Sequence, residues 1–166
     1  MPNDVFRAID AALVLGVEDA TSPEGGAADG LVTQYDLSNA VGRLRNVAVS
    51  VFSDLKPFYE IGRRYPTHLR PGIIRVSGKA ERAHVNGALL RLLLGDGAVS
   101  PPSAPNFVQP AFNIIARLNN PALPDQSTTL TIFGVKFDSW HYTIPSDEFV
   151  MEAISFQALR ISFEET

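Results

Sequence analysis

A two-residue period runs through much of this chain and restricts its fold more than any other feature. In "GIIRVSGKAER" (Gly72 to Arg82), Ile74, Val76, Gly78 and Ala80 share one face, and Arg75, Ser77, Lys79 and Glu81 share the other. Successive strand side chains point to opposite faces, so this reads as a half-wet antiparallel strand rather than one buried on both sides. "RNVAVSVF" (Arg45 to Phe52) alternates in the same way, with Val47, Val49 and Val51 opposed to Ala48 and Ser50. Thr128 to Ile144 is strand-rich too. From Phe149 to Phe163 the apolar set changes sides: Val150, Ile154, Phe156 and Ala158 come first, then Leu159, Ile161 and Phe163 on the other face. That switch predicts a β-bulge near Ala158, or a strand leaving one sheet for another surface.

One segment departs from the alternation. In "HVNGALLRLLLGDG", Val85, Leu89, Leu92 and Leu93 fall at helical spacing, and Gly95 and Gly97 supply a stop. Gly87 leaves the start of that helix undefined. The apolar N-terminal stretch Asp4 to Val17 reads equally as helix or strand. Glu18 to Gly30 and Gly95 to Phe107 combine Gly, Pro, Ser and Asp and read as long loops. The expected fold is mainly β: an antiparallel β-sandwich or barrel with one flanking short α-helix, at about residues 84–95, and long loops.

With 166 residues, the chain fits a single domain, read as residues 1–166 with an N-terminal arm over 1–40 and a β core over 41–164. There is no cysteine, which excludes disulfides, thiolate metal sites and a cysteine nucleophile. Fourteen Lys and Arg against 18 Asp and Glu give a net charge of -4, a poor balance for gripping phosphates. Ala11 to Val17 is apolar but lacks a basic leader and falls far short of the roughly 20 residues that span a bilayer, so neither a signal peptide nor a membrane anchor is expected.

The chemically densest run is Asp138-Ser139-Trp140-His141. On a strand, Ser139 and His141 project in parallel about 6 to 7 Å apart, while Asp138 and Trp140 project from the opposite face. A catalytic triad needs its carboxylate behind the imidazole, and no G-x-S-x-G elbow is present. These residues therefore read as the polar positions of an alternating strand. His68, His84 and His141 lack zinc-ligand spacing, "GDG" lacks the lysine of a phosphate loop, and "PSDEF" (Pro145 to Phe149) lacks the ligands of a calcium loop and reads as a turn. No catalytic residue, metal or cofactor is expected. Arg63, Arg64 and Arg70, beside Tyr65, form a modest basic cluster. It fits pairing with carboxylates of another subunit at least as well as a nucleic-acid contact.

The order of these pieces resembles a known family. "LKPFYEIGRRYPTHLRPGIIRVSGKAERAHVNGALLRLLLGDG" (Leu55 to Gly97) is similar to the middle of tail-tube proteins of contractile-tailed bacteriophages and the inner tubes of contractile injection systems. There a long loop with a P-x-Y-x-x-G core enters a strand reading G-x-x-x-V-x-G, then E-R, N-G and a leucine-rich helix. "LTIFGVKFDSWHYTIPSDEFVMEAISFQALRI" (Leu130 to Ile161) looks like the family's closing hairpin. The resemblance implies a structural, non-enzymatic virion subunit, made in the host cytoplasm. Six copies would join edge to edge into a ring, and rings would stack into a tube through which DNA passes without specific binding. Sheath, tape-measure and baseplate or terminator proteins would be its partners. Phe58, Tyr59, Arg63, Arg64, Tyr65, Arg70 and Trp140 would make inter-subunit contacts, with the loop Ser53 to Gly72 bridging rings. Two alternatives stand beside it: a ring-forming tail terminator or completion protein, and a small β-barrel enzyme or ligand-binding module using Trp140, His141 and nearby carboxylates.

Overall fold

In the computed structural model, residues 6–8, 11–39, 44–99 and 108–165 are described. The strands are β1 (Ala11–Gly16), β2 (Leu44–Phe58), β3 (His68–Ala83), β4 (Phe112–Asn119), β5 (Ser127–Thr143), β6 (Met151–Ala158) and β7 (Arg160–Glu165). Two helices accompany them, α1 (Pro23–Gln34) and α2 (Ala88–Leu94), the latter running into a 3-10 turn at Gly95–Ala98. Every pairing is antiparallel, in the order β1-β4-β5-β6-β3-β2 with β7 also on β5, and the sheet curls into a half-barrel. The mainly β reading holds. Within the ambiguous N-terminal stretch, Ala11–Gly16 is a strand, with Ala11 opposite Leu118 and Gly16 opposite Asn113.

β5 organises the sheet because it serves two sets of neighbours. Its first half pairs with β4 and β7, and its second half, from Lys136, pairs with β6. The change happens at Gly134, whose φ of +64° suits glycine and whose Cβ position is occupied by the Leu159 side chain, 2.6 Å away at Cδ1. Leu159 is the joint between β6 and β7, and its amide donates to the Phe133 carbonyl at 2.9 Å. The change of face read near Ala158 is therefore a strand moving from one set of partners to another.

One face of the sheet is covered by both helices. Leu89 and Leu92 of α2 and Ala28 and Val32 of α1 join Phe112, Ile132, Val135, Phe137, Ile154 and Phe156 in one buried cluster. Phe112 and Phe137 meet edge to face with centroids 5.0 Å apart. The expected alternation holds here: Val76, Gly78 and Ala80 face the core, and Ser77, Lys79 and Glu81 face water.

Three expectations need correction. Glu18 to Gly30 is not a loop, because α1 begins inside it, giving two flanking helices rather than one. Ser22 caps that helix by accepting from the Gly25 amide at 3.0 Å, and Pro23 occupies the first helical position. Gly25 is a packing requirement, since a Cβ there would lie 1.8 Å from the Asp19 carbonyl oxygen. The Asp19 carboxyl is held below the ordinary aspartate range by hydrogen bonds from the Thr21 hydroxyl and amide. Second, α2 starts at Ala88, so Val85 lies before the helix and is exposed. Third, Ser53 to Gly72 is mostly strand: β2 runs to Phe58 and β3 starts at His68. Pro71 is tolerated because the register shifts between Ser53 and Leu55, beside Gly72. Of the second predicted loop, residues 100–107 lie outside the described residues.

Candidate functional site

The β2–β3 hairpin is the most unusual surface of the molecule. β3 pairs with β6 only from Val76 onward, so the hairpin beyond that point is a two-stranded ribbon with no third strand. Isolated ribbons of this kind are marginally stable in water. This one exposes Val51, Phe52, Leu55, Phe58, Leu69, Ile73 and Ile74, each more than half accessible. Its tip adds Ile61, fully exposed at 106%, and Tyr65 at 82%. Exposed apolar surface of this extent is uncommon on a monomeric soluble protein, which makes the hairpin the candidate site. Polar links within the ribbon are weak: Lys56–Asp54 at 3.0 Å and Arg63–Glu60 at 3.4 Å are both solvent-exposed pairs, a class worth about 0–1 kcal/mol.

Two strand edges of the same four-stranded region (β2, β3, β6 and the second half of β5) also lack a neighbouring strand among the described residues, although the Gln109 side chain donates to the Phe137 carbonyl at 2.5 Å near the start of the β5 edge. β2 pairs only with β3 along Leu44–Phe58, and β5 from Lys136 to Thr143 has β6 on one side and no strand on the other. Free edges are templates for another chain unless charges or prolines blunt them. Between Val47 and Phe52 the β2 edge carries neither.

Six of the seven predicted contact residues, Phe58, Tyr59, Arg63, Arg64, Tyr65 and Arg70, lie together on the hairpin, all exposed. Trp140 is elsewhere. It sits half-buried on the inward face of β5 against the core, stacked on Tyr142 with ring centroids 5.3 Å apart. Its indole N–H is buried and has no hydrogen-bond partner among the described residues.

The Asp138–His141 run also resolves differently from its expected geometry. The register shifts between Phe137 and Ser139, so Asp138 is a bulged residue and turns to the wet face, away from Trp140. There its carboxylate accepts from the Ser155 hydroxyl and, at 3.1 Å, from the Gln157 amide, while the Ser139 and Ser155 hydroxyls lie 2.5 Å apart. None of the described hydrogen bonds links His141 to these groups. Trp140 and His141 point to opposite faces of β5, so the pocket required of a ligand-binding module built on both is not formed. Among the described residues no three metal-ligating side chains converge. No helix of the described residues is long and apolar enough to cross a membrane.

One constellation escaped the sequence reading. Arg82 and Glu152 are both buried, and Arg82 Nε donates to Glu152 Oε2 at 3.0 Å. Arg82 Nη2 donates to the carbonyl and to the side-chain oxygen of Asn86, whose side chain also accepts from the Ala88 amide at 3.1 Å and so steadies the start of α2. His84 Nδ1 lies 2.8 Å from Glu152 Oε1, with Tyr142 edge-on against the imidazole. A signal was present: the alternation that places Val76, Gly78 and Ala80 inward, carried one step further, places Arg82 inward too. Its pairing with Glu152 ties β3 to β6, and its bonds to Asn86 join the sheet to the start of α2.

Comparison with known proteins places this geometry in a recognisable class. No protein-family model matches the sequence, and no curated protein matches it. Solved structures do. A chain of the sheath–tube complex of an extracellular contractile injection system (PVC, extended state) superposes with a TM-score of 0.64 at 10% identity, covering 99% of this chain and 94% of that one. A chain of the anti-feeding prophage tube-terminating cap gives 0.65 at 11% identity, covering 100% and 95%. The SPP1 tail tube gives 0.58 at 12% identity, covering 98% and 80%. The chain therefore has the fold of tail-tube and tube-associated proteins, as the order of its sequence motifs indicated. The cap and the sheath–tube structures superpose about equally well, so the likeness shows the fold and does not separate the two.

Proposed function

We propose that this chain is a structural, non-enzymatic subunit of a phage-type tail or contractile injection tube. The observation that carries the reading is the pair of free strand edges flanking one four-stranded region, together with the bare apolar hairpin beside it. An unpaired edge on each side lets β2 of one copy continue the sheet of the next along β5, a head-to-tail contact that closes into a ring when the rotation permits. Six copies per ring is the number we adopt, in keeping with the six-fold symmetrised anti-feeding prophage baseplate, whose chain shares the fold at a TM-score of 0.59 and 13% identity. Rings stack through the hairpins, and the conduit passes DNA without gripping it, in accord with a net charge of -4. The 166 residues act as one domain, with Phe58, Tyr59, Arg63, Arg64, Tyr65 and Arg70 in inter-subunit contacts. Sheath, tape-measure and baseplate proteins are its partners, and the virion or injection particle is its location after synthesis in the host cytoplasm.

A second reading, a terminator that forms single rings, is favoured by the likeness to the tube-terminating cap. Negative-stain electron microscopy of the purified protein, with sedimentation, separates the two. Hollow tubes are the expected result, and single rings at every concentration would establish the terminator. A monodisperse monomer throughout would reject both. Val76→Pro removes a backbone donor inside β3, between β2 and β6, and should abolish rings.

A further inference from the structure

Opposite the hairpin tip, the far end of the same sheet carries a second exposed apolar patch. Ala83 and Thr143 both pair with Met151, and the His84 amide donates to the Val150 carbonyl at 2.8 Å. These bonds gather Val85, Ile144 and Phe149 at one rim, where they are 59%, 70% and 84% exposed. The bend at 146–148 adds Asp147 and Glu148, both exposed and outside every ion pair of the described residues. The hairpin has the matching character with opposite charge. Ile61 and Tyr65 are apolar and bare, and Arg64 and Arg70 are exposed and likewise outside those ion pairs.

We propose that the hairpin tip of one copy docks on the Val85–Ile144–Phe149 rim of a second copy, head to tail, with Arg64 and Arg70 facing Asp147 and Glu148. The inference rests on the assembly reading above and adds the surface that receives the hairpin. Geometry excludes a contact within one chain. β3 joins the two ends, with His68 beside the tip and Ala83 at the rim, and at about 3.3 Å per residue that path is roughly 50 Å long. Unlike patches at opposite ends of a subunit form a heterologous contact, and such a contact repeats without closing when successive copies are offset along one axis. Apolar side chains supply the contact area. The charges set orientation, since reversing the stack would bring like charges together.

The cysteine-free sequence makes the test direct. Ile61→Cys and Phe149→Cys are made in separate chains, mixed, assembled and oxidised. A disulfide-linked dimer of unlike chains on a non-reducing gel is expected, and the double variant should give a ladder of higher oligomers. In a second arm, Asp147→Lys with Glu148→Lys should shorten stacks at least tenfold while single rings persist, and adding Arg64→Glu with Arg70→Glu should restore length. All substituted positions are exposed, and an unchanged thermal midpoint confirms that each variant folds. If the wild type stacks but the mixed Ile61→Cys and Phe149→Cys chains assemble without forming the disulfide, or if the Asp147→Lys, Glu148→Lys variant gives full-length stacks, the docking is overturned and the ring reading is left intact. Absence of rings in the wild type overturns both.

Discussion

Strand β3 is one continuous strand in two environments. From Val76 to Ala83 it is flanked on both sides by β2 and β6, with Val76 and Ala80 packed into the buried core, while from His68 to Arg75 it pairs only with β2 and every residue is exposed. Both halves contain β-branched or apolar residues at alternating positions, so strand propensity does not distinguish them. Cover does. In the first half, burial within the chain stabilises the strand. In the second, the apolar side chains Leu69, Ile73 and Ile74 have no cover, as expected of a strand completed by a neighbouring copy.

The contrast is sharpest where a buried charge is removed. Glu152→Ala leaves the Arg82 guanidinium buried without its carboxylate, and the expected cost is about 3–5 kcal/mol. A chemical-denaturation midpoint measures it, and a loss under 1 kcal/mol would mean that water reaches Arg82. Next comes Gly78→Ala in the covered half. A Cβ there would lie 2.4 Å from Phe156 Cζ and 2.5 Å from the Ala48 carbonyl oxygen, and overpacking of this kind costs about 1–3 kcal/mol. The smallest stability effect belongs to the bare half. Ile74→Ser should change the midpoint by no more than about 0.5 kcal/mol, yet reduce assembly as read by sedimentation. If Ile74→Ser destabilises the isolated subunit as much as Gly78→Ala does, the two halves are not different in kind and the hairpin is covered within its own chain.

Much of the β framework was legible before any coordinates. The alternation at Arg45 to Phe52 and Gly72 to Arg82, the leucine spacing of Leu89 to Leu93 and the change of face near Ala158 each reappear as β2, β3, α2 and the β6–β7 joint. The misreadings have specific causes. Gly25, Gly26 and Gly30 argued for a loop, but the helix they sit in is capped by Ser22 and packed through Ala28 and Val32, and close packing outweighs the intrinsic cost of glycine. The long loop at Ser53 to Gly72 was implied by the family resemblance, yet Pro57 lies on a strand with an open edge and Pro71 sits next to a register shift. Asp138 was assigned to the wrong face because one bulge inverts the alternation beyond it, and nothing local announces a bulge.

The amino-acid sequence by itself determined where strands form and which of their faces is apolar, because side-chain alternation is a local consequence of backbone geometry. The same information excluded thiol chemistry and made a phosphate-gripping role poor. Only the tertiary structure decided which apolar faces are buried and which remain bare, and which charges, such as Arg82 and Glu152, meet inside. Those outcomes depend on which strands become neighbours, and pairing across tens of residues is set by the packing of the whole sheet rather than by any segment within it.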